Sequence, residues 1–423
     1  MFILYDLINL LFIIAYLPVF VLKKKMHPGF SRRLGIYPRS IVFSNPVWIH
    51  AVSVGEMVNM RALLLGMQEF SKGTQYVLST VTPTGNRIAQ SMARPNDVVT
   101  YLPLDLSAIV NSVLNRARPR LFIIAETEFW PNLLSGLHAR KVPVIIVNGR
   151  VSDNAFSGYL SIRWIIAPLL RRISLLCMQT QSDADRVIML GARPDSVKVT
   201  GNMKFDQRVP SAIAQADALR RKLAIRTGEK CLVAGSTHPG EESQVVAAFK
   251  TIARRHPNLR LVIAPRHPER SAEVEACIRS HGFEAVRASM PDQSALGRQP
   301  VFIVDTIGEL MSYYAIADAV FVGGSLIKHG GQNFLEPAFL GKPVVLGPSL
   351  FNFRDIARQF LDRQAAVLVR DSDELAVKVQ ELLADDRKAA QIAARALALI
   401  RQNQGATIRN LTYIKEFMQT AKS

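Results

Sequence analysis

Residues 321–348 read FVGGSLIKHGGQNFLEPAFLGKPVVLGP and join two apolar runs through a glycine-rich connection. The first run, residues 319–322, predicts a buried strand, and the second, residues 343–346, predicts another. Between them a short helical pattern begins at Asn333 and ends at Gly341. A strand, a glycine-rich turn, a helix and a second strand are the repeating unit of an open α/β sheet.

The connection carries two glycine pairs, a histidine and a carboxylate at the carboxyl end of one predicted strand. Glycine lets backbone N–H groups approach a ligand closely, and a helix N-terminus favours negative charge. Open α/β sheets bind their ligands at this edge. Asn333 and Glu336 also have the spacing of a reciprocal helix cap, so a purely structural helix start is the alternative. The crowding of polar groups favours a ligand-binding loop.

Short apolar runs alternate with helical periods along the rest of the chain. The runs that predict strands are VWIHAV, TQYVLSTV, RLFIIAE, VPVIIVN and SLLCMQT, followed after Asp206 by CLVAGS, LRLVIAPR, PVFIVD, DAVFVGG and PVVLGP. This alternation predicts two doubly wound parallel sheets. We therefore expect two α/β domains that join near residues 205–215, and helices throughout the tail from Asp371 to Ser423.

The composition indicates a globular protein with an anionic partner. Of 423 residues, 49% are hydrophobic and 20% charged, and Lys plus Arg (52) exceed Asp plus Glu (34) by 18. The sequence has no recognised nucleic-acid motif and no spacing of aromatic residues for base stacking, so a lipid surface or a phosphorylated substrate is favoured over nucleic acid. Cys177, Cys231 and Cys277 lack disulfide or metal spacing and predict reduced thiols.

The first 22 residues are nearly all apolar, apart from Asp6, Asn9 and Pro18, and three lysines follow them. About 20 apolar residues are just enough to cross the hydrocarbon core. The lysines come after the apolar run, which disfavours a cleaved signal peptide and predicts that the remaining chain is cytoplasmic. The alternative is an amphipathic helix in the interface, since Asp6 and Asn9 weaken a spanning segment. Both interpretations predict attachment to a membrane.

Eight blocks of the sequence resemble those of the Kdo transferases, which move 3-deoxy-D-manno-oct-2-ulosonic acid (Kdo) from CMP-Kdo to a lipid A precursor. In order, the blocks are VSVGE (52–56), STVTPTG (79–85), ETEFWPN (126–132), GNMKFD (201–206), AGSTHPGEE (234–242), PRHPER (265–270), DTIGEL (305–310) and GGSLIKHGGQNFLEPAFLGKPVVLGP (323–348). The resemblance extends from about Met1 to about Phe353. Its departures are small: Phe334 replaces the usual proline, Met203 a leucine and Gly149 an alanine.

The resemblance implies a glycosyltransferase-B fold, that is, two Rossmann-like doubly wound domains, and the apolar N-terminal segment adds a membrane-anchor helix. The anchor would comprise residues 1–25, an acceptor-binding domain residues 26–207, and a CMP-Kdo-binding domain residues 208–423, whose last helix packs back onto the first domain. The implied reaction is an inverting transfer to a hydroxyl of lipid IV-A that releases CMP. The expected partners are CMP-Kdo, a lipid A precursor and the anionic surface of the inner membrane, without a metal or other cofactor.

Three residues of the first domain are candidates for catalysis. Glu56 follows a predicted strand and would face an interdomain cleft. Its spacing from Ser53 fits a catalytic base and the third residue of a capping box equally well, and the resemblance favours the base. Glu126 and Glu128 follow another strand; the resemblance favours Glu126 as the second carboxylate, although either could be a first-turn helix acid. Lys204 would neutralise the donor or, alternatively, be a solvated surface lysine.

The second domain supplies candidates for binding the donor. They are Arg266, His267, Ile307, Gly308, Glu309, Asn333, Phe334, Leu335 and Glu336. Arginine suits phosphate, and a histidine offers a further donor. The backbone of residues 307–309 could match the polar edge of cytosine. Residues 333–336 would place helix N–H groups and one carboxylate beside the sugar, with Glu336 accepting from both ribose hydroxyls.

The remaining patterns narrow the chemistry further. The sequence lacks a G-x-G-x-x-G fingerprint, which argues against a nicotinamide-dependent enzyme, and it also lacks a P-loop lysine motif. His238 and His329 are predicted to be separate loop residues without metal-ligand spacing.

Several arginines could meet the phosphates of the acceptor or form a solvated basic face: Arg32, Arg33, Arg39, Arg61, Arg87 and Arg150. The alternative functions are a related enzyme that uses a UDP-sugar and a non-enzymatic protein that binds anionic lipids.

Overall fold

The computed structural model describes residues 5–11, 13, 15, 29–206, 212–290 and 300–420. The chain divides into two compact units: unit 1 comprises Met1–Gln207 and Asn403–Ser423, and unit 2 comprises Arg208–Gln402. Within the described residues, each unit contains one seven-stranded sheet, and its strand pairs are parallel. The prediction of two parallel α/β domains is therefore confirmed.

The sheet of unit 1 reverses its strand order between β1 and β4. Its strands are β1 (Val47–His50), β2 (Tyr76–Thr80), β3 (Val98–Tyr101), β4 (Leu121–Ala125), β5 (Val144–Gly149), β6 (Leu175–Met178) and β7 (Val197–Val199). Their order across the sheet is β3-β2-β1-β4-β5-β6-β7. The loops after β1 and β4 therefore leave the sheet side by side, at the point where open α/β sheets bind ligands.

Both faces of this sheet are covered, because successive residues of a strand point to opposite sides. Trp48 belongs to a hydrophobic cluster on one face and stacks on Phe122 with ring centroids 5.6 Å apart. Its neighbour Ile49 belongs to the cluster on the other face, with Met57 and Leu63. The helices of unit 1 before residue 207 are α1 (Phe30–Arg33), α2 (Val54–Phe70), α3 (Pro83–Met92), α4 (Ser107–Ala117), α5 (Pro131–Ala139), α6 (Asp153–Ser161), α7 (Arg163–Leu170) and α8 (Gln181–Leu190).

The sheet of unit 2 reverses its strand order between β8 and β12. Its strands are β8 (Lys230–Thr237), β9 (Leu259–Pro265), β10 (Ala285–Arg287), β11 (Val301–Ile303), β12 (Ala319–Val322), β13 (Val344–Leu346) and β14 (Val367–Leu368), in the order β10-β11-β9-β8-β12-β13-β14. Its helices are α9 (Ala212–Lys222), α10 (Glu241–Ala253), α11 (Ser271–Ser280), α12 (Leu310–Ile316), α13 (Leu335–Phe339), α14 (Arg354–Asp362), α15 (Ser372–Ala384) and α16 (Asp386–Asn403).

The final helix, α17 (Ala406–Thr420), belongs to unit 1. Ile414 and Met418 lie in the hydrophobic cluster that also contains Met57 of α2. The Asp206 carboxylate accepts hydrogen bonds from the backbone N–H groups of Gly405, at 2.7 Å, and of Thr407. Apolar packing and a capping carboxylate thus fix the start and the inner face of this helix.

The described residues before 16 are helical, and two of them, Tyr5 and Asp6, are hydrogen-bonded to later parts of unit 1. The Tyr5 hydroxyl donates to Asp105 Oδ2 at 3.0 Å, and Asp6 Oδ1 accepts from Ser107 N at 3.1 Å and from Asn132 Nδ2 at 2.7 Å. Asp6, which weakens a spanning segment, therefore has a structural partner. Among the described residues, no helix combines the length and the apolar character needed to cross a membrane. The rest of the predicted anchor (residues 1–4, 12, 14 and 16–25) lies outside them.

Candidate functional site

Glu56 and Glu126 lie at the reversal point of the sheet in unit 1. Glu56 lies in the first turn of α2, after β1, and Glu126 directly follows β4, the strand that pairs with β1. Two carboxylates therefore occupy the part of the sheet where this fold places ligands.

The Glu56 carboxylate closes a capping box at the start of α2. Glu56 Oε2 accepts from Val52 N at 2.8 Å, Glu56 Oε1 accepts from the Ser53 hydroxyl at 2.8 Å, and Glu56 N donates to Ser53 Oγ at 3.3 Å. The structural interpretation of the S-x-x-E spacing is thus present in the molecule. Because a carboxylate offers about four acceptor positions, these two bonds hold its orientation and leave room for an incoming hydroxyl.

Glu126 has an uncommon backbone conformation for a residue with a side chain. Its φ is 59°, in the left-handed region that favours glycine, and its N–H donates to Val147 O at 2.9 Å. Such a conformation costs about 1–3 kcal/mol and concentrates at functional sites. The turn after β4 is therefore a candidate for a functional role on backbone geometry alone.

Electrostatic coupling joins Glu56, Glu126, Glu128 and Lys204, here called the carboxylate cluster. Burial raises the pKa of Glu126, and the positive charge of Lys204 acts in the opposite direction. Burial lowers the pKa of Lys204, which Glu126 opposes. Burial, followed by the negative charges of Glu56 and Glu126, raises the pKa of Glu128 to about 7. The carboxylate cluster therefore combines proton acceptors with a cation in a poorly solvated place.

The arginines of unit 1 do not all approach this cluster. Arg150 influences the pKa values of both Glu126 and Lys204. Arg32 donates to Val99 O at 2.9 Å and Arg33 to Leu102 O at 3.4 Å, which attaches α1 to the strand β3 and the loop after it. The other three candidates, Arg39, Arg61 and Arg87, are exposed.

In unit 2 the glycine loop (residues 323–332) follows β12 at the reversal point, but its first N–H groups do not face a ligand. Gly324 N, Ser325 N and Leu326 N donate to the buried carboxylate of Glu241, at 2.6, 3.0 and 2.9 Å. A Cβ atom at Gly323 would lie 2.3 Å from Ser236 O, at the end of β8. The prediction that these glycines bring the backbone to a ligand is therefore wrong here, because close packing of β12 on β8 and an internal anion account for them.

Asn333 and Glu336 pair through their side chains at the start of α13. Helix α13 begins at Leu335, two residues later than expected. Asn333 Nδ2 donates to Glu336 Oε1 at 3.0 Å, and Leu335 N donates to Asn333 Oδ1 at 3.3 Å. Burial raises the pKa of Glu336 to about 7, opposed by Asn333 and Arg266. Phe334 and Leu335 are each 0% exposed, backbone included, so neither residue presents accessible surface.

Phe334 occupies the core where the resembling family has proline. Its ring lies 5.4 Å from that of Phe353 and 5.1 Å from that of Phe360. These aromatic contacts fasten the end of the glycine loop to the segment after β13 and to α14.

Three histidines meet at the glycine loop, to which His329 belongs, contrary to the prediction that His238 and His329 are separate. The ring centroids of His238 and His329 lie 3.8 Å apart, and those of His238 and His267 lie 6.3 Å apart. Gln332 Nε2 lies 3.0 Å from His238 Nε2. Burial, then the neighbouring His329, His267 and Arg266, lowers the pKa of His238 to about 4. We call His238, His267 and His329 the histidine cluster.

The turn after β11, residues 307–309, is exposed, unlike the buried Phe334 and Leu335. Ile307 is 84% exposed, Gly308 has a φ of 91°, and Glu309 precedes α12 and accepts from the Thr306 hydroxyl. This turn follows β11, which lies two positions from β8 in the sheet.

Among the residues that the structure describes, no group of three or more His, Cys, Asp or Glu side chains is arranged to hold a metal ion.

Comparison with known proteins gives matches in both units. Residues 28–207 match the family described as 3-deoxy-D-manno-octulosonic-acid transferase (kdotransferase), and residues 215–398 match the glycosyl transferases of group 1. A 3-deoxy-D-manno-octulosonic acid transferase of Haemophilus influenzae is 33% identical over 379 residues, 88% of this chain and 87% of that protein.

Two solved structures are similar. The C-terminal CMP-Kdo-binding domain of WaaA from Acinetobacter baumannii is 32% identical and covers 45% of this chain and 98% of that one, with a TM-score of 0.43. A UDP-GlcNAc 2-epimerase from Neisseria meningitidis is 13% identical and covers 89% of this chain and 100% of that one, with a TM-score of 0.59. The second likeness concerns the fold alone, and the parallel α/β domains are consistent with a glycosyltransferase-B fold.

Proposed function

Because this chain belongs to the Kdo transferase family of glycosyltransferases, we propose that it moves Kdo from CMP-Kdo to a hydroxyl of the lipid A precursor lipid IV-A. The transfer inverts the configuration at the anomeric carbon and releases CMP. The observation that carries the proposal is the carboxylate cluster, in which Glu56 and Glu126 follow the two strands at the reversal point of the sheet.

Glu56 is the catalytic base of the proposed reaction. Its carboxylate takes the proton of the acceptor hydroxyl as the acceptor oxygen bonds to the anomeric carbon of Kdo. The bond from that carbon to the phosphate oxygen breaks, and the electron pair leaves with CMP. The hydrogen bonds from Val52 N and Ser53 Oγ support this role because they hold the carboxylate in one orientation.

Glu126 and Lys204 assist the same step. The developing sugar cation and the leaving phosphate have opposite charges, so a carboxylate and an ammonium group can each stabilise one of them. The opposing pKa effects of Glu126 and Lys204 support their being near each other. Arg150, which acts on both, adds a second positive charge.

Unit 2 binds the donor nucleotide. Arg266 and the histidine cluster supply donors and positive charge for the phosphate, beside the glycine loop. Glu336, oriented by Asn333, accepts from the ribose hydroxyls, and the exposed turn at Ile307–Glu309 meets the cytosine. No metal ion or other cofactor takes part in the proposed reaction.

The acceptor is reached at the cytoplasmic face of the inner membrane. The net charge of +18 supports contact with anionic lipids and with a phosphorylated acceptor. The apolar N-terminal segment, which carries the exposed side chains of Leu7, Ile8, Leu10 and Leu11, supports attachment to the bilayer.

The test is a product assay with purified protein. The protein is incubated with lipid IV-A and either CMP-Kdo or a set of UDP-sugars, and the masses of the lipid products are measured by mass spectrometry. We expect Kdo-bearing lipid and CMP from the first reaction and unchanged lipid from the second. Transfer from a UDP-sugar, or unchanged lipid with CMP-Kdo, would refute the proposal.

A further inference from the structure

Glu241 is a buried carboxylate to which the proposed reaction assigns no role. It is the first residue of α10, its residue exposure is 0%, and it lies just after β8 at the reversal point of the sheet. Its Oε2 accepts from His238 N at 3.0 Å and Gly324 N at 2.6 Å, and its Oε1 accepts from Ser325 N at 3.0 Å and Leu326 N at 2.9 Å.

Four N–H donors satisfy this carboxylate almost completely. An isolated ionised carboxylate is very costly to bury, whereas one that accepts several backbone N–H bonds is stabilised. Burial raises the pKa of Glu241, and the four N–H groups act in the opposite direction. The side chain therefore acts as an internal anion around which two loops are ordered.

The Glu241 carboxylate occupies the backbone N–H groups that could otherwise bind a phosphate. Successive backbone N–H groups after a strand form a concave site that commonly binds phosphate. Here the corresponding groups of residues 324–326 already bind Glu241, so a phosphate of the ligand must be recognised elsewhere. The nearest candidates are side chains held by the same loops: His238, whose N–H also binds Glu241, and His329, whose ring lies 3.8 Å from that of His238.

Glu241 also fixes the relation between the two loops. Gly323 N donates to Gly235 O at 2.8 Å, and Gln332 N donates to Gly323 O at 3.0 Å, which ties the beginning and the end of the glycine loop together. Gln332 Nε2 in turn lies 3.0 Å from His238 Nε2. The carboxylate closes this ring of contacts, because it binds the loop after β8 and the loop after β12 at once.

We propose that Glu241 is a positioning residue for the donor: it takes the place of a phosphate in the glycine loop and thereby holds the histidine cluster ready for the donor's own phosphate. This inference rests on the proposed function, because the donor is taken to be CMP-Kdo. Glu241 itself does not touch the donor.

The test compares Glu241→Gln with Glu242→Gln in the full-length protein. A glutamine at 241 keeps the shape but turns an NH₂ group toward N–H donors, which leaves backbone groups unpaired. Glu242 is the matched control: it is 3% exposed, and it accepts from Thr237 Oγ1 at 3.1 Å and Arg270 Nη1 at 2.8 Å rather than from the glycine loop.

Two measurements are made on each variant. Steady-state kinetics with lipid IV-A give the KM for CMP-Kdo and kcat, and hydrogen exchange followed by mass spectrometry reports on residues 323–326. For Glu241→Gln we expect a KM at least about tenfold higher, the equivalent of losing about 1.4 kcal/mol of binding. The kcat should change by less than about threefold, and exchange in the glycine loop should be faster. Glu242→Gln should leave the KM within about twofold and the loop exchange unchanged.

Several results would overturn the inference. One is an unchanged KM in Glu241→Gln; another is a KM that rises equally in Glu242→Gln, which would indicate only loss of stability. If Glu241→Gln does not fold, Glu241→Asp replaces it, with an expected rise in KM of about threefold and partly protected loop amides; an unchanged KM overturns the inference there too. If the wild-type protein does not use CMP-Kdo, the proposed function fails, while the exchange data still decide whether Glu241 orders the loop.

Discussion

Ser53 and Glu56 cap helix α2 reciprocally. Glu56 N donates to Ser53 Oγ at 3.3 Å, and the Ser53 hydroxyl donates to Glu56 Oε1 at 2.8 Å. The sequence alone left a choice between a capping residue and a base, whereas the geometry allows one carboxylate to do both. The two roles can be separated by mutation, because the cap needs both partners and the proton transfer needs only the carboxylate.

Glu56→Gln should abolish transfer without unfolding the protein. Glutamine still accepts one hydrogen bond through its amide oxygen but cannot take a proton at neutral pH, and loss of a general base lowers the rate by about 10²–10⁴-fold. The measurement is CMP release with lipid IV-A, alongside the melting temperature. A variant that keeps more than a tenth of the wild-type kcat would contradict the assignment of Glu56 as the base.

Ser53→Ala should have the opposite profile. Removing an N-cap hydroxyl costs about 0.5–2 kcal/mol of stability. The carboxylate of Glu56 remains and keeps its bond from Val52 N, so we expect kcat to fall by less than about tenfold. Urea unfolding and the CMP-release assay measure the two effects. An equal loss of kcat in Ser53→Ala and Glu56→Gln would mean that capping, rather than proton transfer, accounts for the role of Glu56.

Glu128 should make the protein less stable as the pH rises. Its pKa in the folded chain is about 7, against an ordinary value of 4.5, so the folded state holds its proton more tightly than the unfolded state does. The contribution of Glu128 to the free energy of unfolding is therefore fully present below about pH 4.5 and is lost as the pH rises through 7. Glu128→Gln removes this loss. Since the group is partly solvated, we expect a modest gain of about 2–4 °C in melting temperature at pH 8.

The comparison at pH 4 is the control for this prediction, because Glu128 is then protonated in the folded chain and mostly protonated in the unfolded chain, so the melting temperatures of the two proteins should nearly agree. A gain of the same size at both pH values would exclude titration as its cause. The activity of the variant also distinguishes the two neighbouring carboxylates: Glu128→Gln should keep Kdo transfer, and Glu126→Gln should lose most of it.

The strands show what the sequence could predict. All ten runs that predicted strands are inner strands of the two sheets, and the four described strands that were missed, β3, β7, β10 and β14, are the edges. Inner strands of a parallel sheet are buried on both faces and read as continuous apolar runs. Three of these four edge strands lack this signal: β7 includes Lys198, β10 ends at Arg287, and β14 has two residues.

The position of a candidate residue was predictable where the residue follows its own strand, as Glu56 and Glu126 do. The role of Glu241 was not, because its partner Gly324 is 83 residues away, and Gln332 is 94 residues from His238. No local spacing reports such pairs, which depend on β8 and β12 being neighbours. The one available signal was the three-residue step from His238 to Glu241, which matches the bond from His238 N to the carboxylate.

His238 should make donor binding tighter as the pH falls. Its pKa is lowered to about 4 by burial and by His329, His267, Arg266 and Arg270, so it is neutral in the free protein at pH 7. A bound phosphate introduces negative charge and raises that pKa, so binding takes up a proton. For one proton, affinity can rise by at most about tenfold per pH unit.

The measurement is calorimetric titration with the methyl ester of CMP, a phosphodiester whose phosphate keeps a single negative charge between pH 5 and 8. We expect the Kd to fall by about three- to tenfold from pH 7 to pH 5.5 in the wild-type protein and to fall less in His238→Gln, which keeps His267 and His329. His281→Gln is the control, because His281 contacts Ser243 and Cys277 rather than the histidine cluster, and it should keep the wild-type dependence. The same slope in His238→Gln as in the wild-type protein would show that His238 does not take up the proton.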